Sequence, residues 1–124
     1  MADLDRSFTT GSDGSRVRTL VKSIPAHGGR SIAKIRLRPP KYREIMSFGD
    51  PSAMIVFNGA VLPHEDMGIV EKYVEALSLD ESGAPIDPGL LGQADYRDAI
   101  ALKDAVLSFF KTAASETSST PPTS

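Results

Sequence analysis

Two adjacent prolines, Pro39 and Pro40, place the strongest constraint on this chain. Neither can donate a backbone hydrogen bond, so no strand ladder continues through them, while Pro40 suits the first position of a helix. The residues before them must complete a β unit, and the residues after them must begin a different element. Upstream, "RVRTLVKSI" (16–24) and "SIAKIRLR" (31–38) alternate apolar with polar or basic residues around "PAHGGR". Its Gly28-Gly29 pair supplies the positive φ of a tight reversal, which predicts a β-hairpin over 16–38. Val17, Thr19 and Val21 of the first strand and Ala33, Ile35 and Leu37 of the second form the expected apolar faces. Arg18, Lys22, Lys34, Arg36 and Arg38 then fall on the solvent side, and Leu20, Ile24 and Ile32 interrupt the alternation.

Downstream the period changes. Residues 41–48 read as a short helix with Tyr42, Ile45, Met46 and Phe48 on one side and Gly49 as its stop. Residues 50–63 carry no clear period and are expected to be irregular. Met67, Val70, Val74 and Leu77 predict a helix over 65–78, with Glu65 and Asp66 at its positive end. Turn residues fill 80–93 around a Leu90-Leu91 anchor. The clearest helix spans 95–112: Asp95 suits the cap, Asp98 the capping-box position, and Tyr96, Ala99, Ile100, Lys103, Val106, Leu107 and Phe110 form the stripe. The expected class is α+β, an N-terminal hairpin followed by a small bundle of about three helices. It occupies one domain, 16–112, between a disordered arm (1–15) and a disordered tail (113–124).

Composition narrows the chemistry. The chain has no cysteine and two histidines, which removes thiolate chemistry and leaves little for a metal site or general base. No phosphate loop, dinucleotide fingerprint, nucleophile elbow or zinc motif is present. His64, Glu65 and Asp66 at a helix start are better explained by capping than by catalysis, and His27 by the turn it occupies. Asp95 and Asp98 read as helix caps rather than paired catalytic carboxylates. These readings predict a non-enzyme without cofactor or metal. No apolar run approaches the roughly 18 residues of a membrane helix. The polar, acidic start lacks the pattern of a secretory signal, so a cytoplasmic protein is expected.

The net charge of -2 conceals a division: residues 16–43 hold nine Lys/Arg and no acid, whereas 44–124 hold thirteen acids against four bases. Such a basic hairpin has three open explanations: phosphate binding with Tyr42 as a stacking platform, solvated charge that protects strand edges, or attraction to an acidic protein surface.

The order of elements resembles a known family. "IAKIRLRPPKYREI" fits the form I-x-x-[IL]-x-L-R-x-P-x-x-x-[DE]-[ILM] through Ile32, Ile35, Leu37, Arg38, Pro40, Glu44 and Ile45. Further on, "LLGQADYRDAIALKDAVLSFF" supplies Leu91, Asp95, Ala99, Val106, Phe109 and Phe110. Over about 18–112 the chain resembles the tail assembly chaperones of Mu-like, contractile-tailed bacteriophages and prophages, departing from them in a longer middle and an N-terminal arm. The resemblance implies a phage assembly factor in the host bacterial cytoplasm, absent from the mature virion. It would bind the helical tape measure protein and keep it soluble while the tail tube polymerises, with the tail tube protein and a second copy as further possible partners.

Phe109, Phe110, Val106 and Leu107, with Tyr42, Ile45 and Met46, are then the candidate contact residues, and Arg36, Arg38, Lys41 and Arg43 would steer an acidic segment. Core packing is the competing role, favoured for Val106 and Ile45. Two other functions stay open: a structural tail or baseplate subunit, and a small nucleic-acid-binding regulator.

Overall fold

The double proline ends the sheet as expected, and the strand before it is held by groups far along the chain. The computed structural model describes residues 7–119, with side chains through 111. In order come β1 (Thr9–Thr10), β2 (Arg16–Pro25), a short helical turn (His27–Gly29), β3 (Ser31–Leu37) and α1 (Tyr42–Phe48). They are followed by β4 (Ser52–Phe57), β5 (Ala60–Glu65), α2 (Met67–Leu77), β6 (Ser78–Leu79), α3 (Pro88–Leu91) and α4 (Tyr96–Ser119). The class is α+β. One antiparallel sheet has the order β1-β2-β3-β6; β4 and β5 form a separate two-stranded sheet. Just past β3, the Arg38 N–H donates to the Leu77 carbonyl at 3.1 Å, tying the strand to the end of α2.

The hairpin forms, but its first strand faces the other way. Arg16, Arg18, Leu20 and Ile24 point inward, whereas Val17 is half-buried and Thr19 and Val21 are exposed. Pairing explains this. Thr19 lies opposite Lys34 and Ile24 opposite Ile32, so β2 carries extra residues between Thr19 and Ile24 that leave the ladder. The β3 face changes across the same break: Ile35 and Leu37 are buried as expected, Ala33 is exposed, and Ile32 is buried in its place. Leu20, Ile24 and Ile32, the interruptions in the sequence pattern, are core residues.

Helix α4 packs against both α2 and β2. Its buried stripe is Asp98, Ala101, Leu102, Ala105, Val106 and Leu107. This corrects the expected face at the N-terminal half: Tyr96 is 67% exposed and Ala99 is exposed, because Asp98 points to the sheet and fixes the helix rotation. Helix α2 buries Val70, Tyr73 and Leu77, half-buries Val74 and leaves Met67 exposed. Tyr73 joins the layers: its ring meets Phe48 and Phe110 edge-on at 5.0 and 5.2 Å, and its hydroxyl donates to the Gly49 carbonyl at 2.6 Å.

Other boundaries and elements differ from expectation. Residues 50–63 are not irregular: most of them form the β4–β5 hairpin, closed by Asn58-Gly59 with φ of 51° and 79°, as a tight two-residue loop requires. Glu65 therefore lies in β5, and α2 starts at Met67 with Asp66 as its cap, accepting from the Ile69 N–H at 3.2 Å. The first helical residue of α1 is Tyr42 rather than Pro40 or Lys41; Lys41 is the cap, and its N–H donates to Glu44 at 2.9 Å. The arm expected to be disordered contributes β1, paired with Arg16 and Val17, and Phe8, which packs on the core. Residues 1–6 of that arm lie outside the described residues. Helix α4 continues past the expected end at 112 to Ser119; residues 120–124 lie outside the described part.

Candidate partner-binding surfaces

The sequence-derived contact residues divide sharply by burial. Val106 and Leu107 are 0% and 2% exposed and belong to the core, where α4 meets the sheet and α2. They offer nothing to a partner. Phe109 is half-buried with the Arg16 guanidinium 4.4 Å above its ring, and Arg16 is itself held by the Ser108 hydroxyl at 2.9 Å and the Gly14 carbonyl at 2.6 Å. Phe110 is half-buried against Tyr73, and Ile45 half-buried against the core. Only Tyr42 and Met46 stand open, at 78% and 64% exposed, four residues apart on one side of α1.

The basic set divides too. Arg36, Lys41 and Arg43 are exposed. Arg38 is engaged within the chain: its two terminal nitrogens meet the two carboxylate oxygens of Glu44, with Nη1 to Oε1 at 2.9 Å. The paired guanidinium holds the Glu44 carboxyl below its usual range, against the opposing effect of burial. Arg18 is buried beside Asp98, and Arg16 is covered as described, so much of the basic segment is structural.

Asp95 and Asp98 are both engaged within the chain. Asp95 accepts from the Arg97 N–H at 2.9 Å and from its guanidinium at 2.9 and 3.2 Å, which lowers its pKa to about 2. Asp98 does not close a capping box. Its carboxylate crosses to β2, accepting from Arg18 Nε at 3.1 Å and the Val21 N–H at 2.9 Å, where the strand has left its ladder. His64 sits exposed on β5, and His27 lines a mixed-charge depression of about 560 Å³ with Arg30, Asp80, Glu81 and Asp87. Among the described residues no group of three or more His, Asp or Glu could hold a metal ion.

Two surfaces escaped the sequence reading. The first is an open groove of about 280 Å³ between α2, α3 and α4. Val70, Val74, Leu91 and Leu102 form its floor, Glu71 and Glu75 one rim, and Ala99 and Lys103 the other. Helical spacing implied a buried face for α2 and α4, but the gap between them depends on the rotation that Asp98 sets.

The second is the β4–β5 hairpin. Met54, Ile55, Val56, Phe57, Val61 and Leu62 are between 42% and 74% exposed. Its signal was present in "MIVFNGAVL", apolar residues flanking a hairpin turn, but a strand buried on neither face has no alternation to detect. No described helix is long and apolar enough to cross a membrane. Compared with protein-family profiles, curated proteins and solved structures, the chain has no match in any of the three.

Proposed function

We propose that this protein is a non-enzymatic tail assembly chaperone of a contractile-tailed phage or prophage, acting in the host cytoplasm and absent from the finished virion. It holds helical segments of the tape measure protein in solution while the tail tube polymerises. The observation that carries this reading is the groove between α2, α3 and α4, an apolar floor of Val70, Val74, Leu91 and Leu102 with charged rims. An amphipathic helix lays its apolar stripe into such a groove, gaining about 25 cal/mol per Å² of apolar surface covered. Glu71 and Glu75 favour a client helix with basic residues along that flank. The exposed Tyr42–Met46 strip and the cations Arg36, Lys41 and Arg43 are the remaining contacts for the acidic parts of a long client. The family-like pattern from Ile32 to Ile45 supports the phage assignment, with Ile32, Ile35 and Leu37 in the core and Arg38 and Glu44 paired at the corner.

The test is co-expression with the long helical product of a neighbouring tape measure gene, followed by solubility measurement and pull-down. Ala99→Arg fills the groove from an exposed position without touching the core. The wild type should keep the client soluble and co-purify with it, and Ala99→Arg should not. A client that stays insoluble with the wild type, or that binds Ala99→Arg equally, counts against the chaperone role or this groove respectively.

A further inference from the structure

We propose that two copies of this chain pair antiparallel through the free edge of β4, joining their hairpins into one continuous sheet. This goes beyond the client reading and does not depend on it.

The hairpin register determines which main-chain groups face outward. In a hairpin with a two-residue loop, the residues flanking the loop exchange both hydrogen bonds, and every second pair along the ladder does the same. Phe57 and Ala60 flank the Asn58-Gly59 loop, so Phe57, Ile55 and Ala53 direct their N–H and C=O groups to Ala60, Leu62 and His64. Met54 and Val56 direct theirs away from β5, and β4 has no other neighbour in the sheet.

The two edges of the hairpin differ. On β5 the corresponding outward positions are Val61, Pro63 and Glu65: a proline without an N–H and a charged side chain, both features that block strand addition. On β4, "SAMIVF" has no proline, glycine or charge. Its first amide is already used, the Ser52 N–H donating to Asp50 at 2.7 Å. Recruitment is therefore confined to the stretch centred on Ile55.

That edge selects a strand as its partner. A helix satisfies its own main-chain groups along its length and can cover a sheet face, but it cannot supply donors and acceptors to a strand edge. A second copy of β4 can. With Ile55 on the twofold axis, Met54 of one copy exchanges hydrogen bonds with Val56 of the other, and the reverse.

Charge does not oppose this pairing, because residues 51–63 contain no ionisable side chain. In the joined sheet the Met54, Ile55 and Val56 side chains of one copy lie beside those of the other.

The experiment measures the solution mass of the full chain by light scattering across a wide concentration range, with Met54→Pro and Val56→Lys as variants. Proline at position 54 removes an outward donor and leaves the β4–β5 ladder intact. The wild type should have the mass of two chains, and both variants the mass of one with unchanged far-UV circular dichroism. Since the chain has no cysteine, Ile55→Cys gives a second readout. Opposed residues at a non-hydrogen-bonded pair come within disulfide reach, whereas Phe57 lies off the axis. Oxidation should cross-link Ile55→Cys at least about tenfold faster than Phe57→Cys.

A wild type with the mass of one chain at every concentration would overturn the proposal. So would a dimer that persists in both variants, or equal cross-linking at the two positions. If a tape measure fragment, added to a monomer, protects the Met54 and Val56 amides from exchange, the edge belongs to the client instead.

Discussion

Arg18 and Asp98 form a buried ion pair between β2 and α4, with Nε and Nη2 of the arginine 3.1 and 3.0 Å from Oδ1 of the aspartate. Their side chains are 2% and 0% exposed. The same carboxylate accepts the Val21 N–H, and Arg18 also donates to the Ser7 carbonyl at 2.9 Å. The pair thus gathers the arm, the bulged strand and the last helix at one point.

Removing one partner leaves an uncompensated buried charge. Asp98→Ala should cost about 3–5 kcal/mol in urea unfolding, and Arg18→Met a comparable amount. The double variant should lose less than the two single losses added together, since neither charge is then stranded. Full additivity in the cycle would contradict this coupling.

Tyr73 supplies a donor to an otherwise enclosed corner where α1 ends. Tyr73→Phe keeps the edge-on contacts with Phe48 and Phe110 but removes the hydrogen bond to Gly49, and should lower stability by about 1 kcal/mol. Burial raises the Tyr73 pKa, so its phenol should ionise above the ordinary tyrosine range in a spectrophotometric titration of the folded protein.

Gly49 closes α1 at φ 86° and ψ -173°, a region nearly reserved for glycine, while its N–H donates to the Ile45 carbonyl at 2.9 Å. Beyond its two chain neighbours, nothing crowds a Cβ at this position. Gly49→Ala should therefore cost about 1–3 kcal/mol through backbone conformation alone. Chemical denaturation measures it; a neutral effect would mean that the chain relaxes at this corner.

The pairing of Asp95 with Arg97 gives a pH signature. Its folded pKa of about 2 lies below the ordinary 3.8, so the contribution to stability is present above the ordinary value and is lost as pH falls through the folded one. NMR titration of the side-chain carboxyl should give a midpoint near 2 in the wild type. In Arg97→Gln the midpoint should move up toward 3.8. An unchanged midpoint would assign the depression to the backbone N–H rather than the guanidinium.

The α+β class, the β2–β3 hairpin and three of the helices were legible because each arises from local signals: glycines at a reversal, prolines at a stop, and apolar spacing at helical period. The inward face of β2 was not. Its alternation favours Val17 and Val21, but Arg18 goes inside because an acid at position 98 meets it there, and Arg16 because Ser108, the Gly14 carbonyl and the Phe109 ring hold it. That acid also rotated α4 away from the expected stripe, exposing Tyr96 and Ala99 and opening the groove. Of the candidate site, Tyr42, Met46, Arg36, Lys41 and Arg43 are exposed. Val106 and Leu107 are core, and Arg38 is held by Glu44. Periodicity locates an apolar face, but whether another element covers it depends on tertiary packing.

The bulge in β2 also has a consequence for synthesis. Its amides at Val21 and Lys22 are met by a carboxylate 77 and 76 residues further along the chain. A growing polypeptide exposes the first hairpin long before Asp98 emerges, and until then these two amides lack their carboxylate acceptor. The bulged register of β2 therefore gains its acceptor only when the last helix docks. Such dependence on distant contacts slows folding, because the loop must close before any contact rewards it. The first part of the chain to be made is therefore among the last to settle.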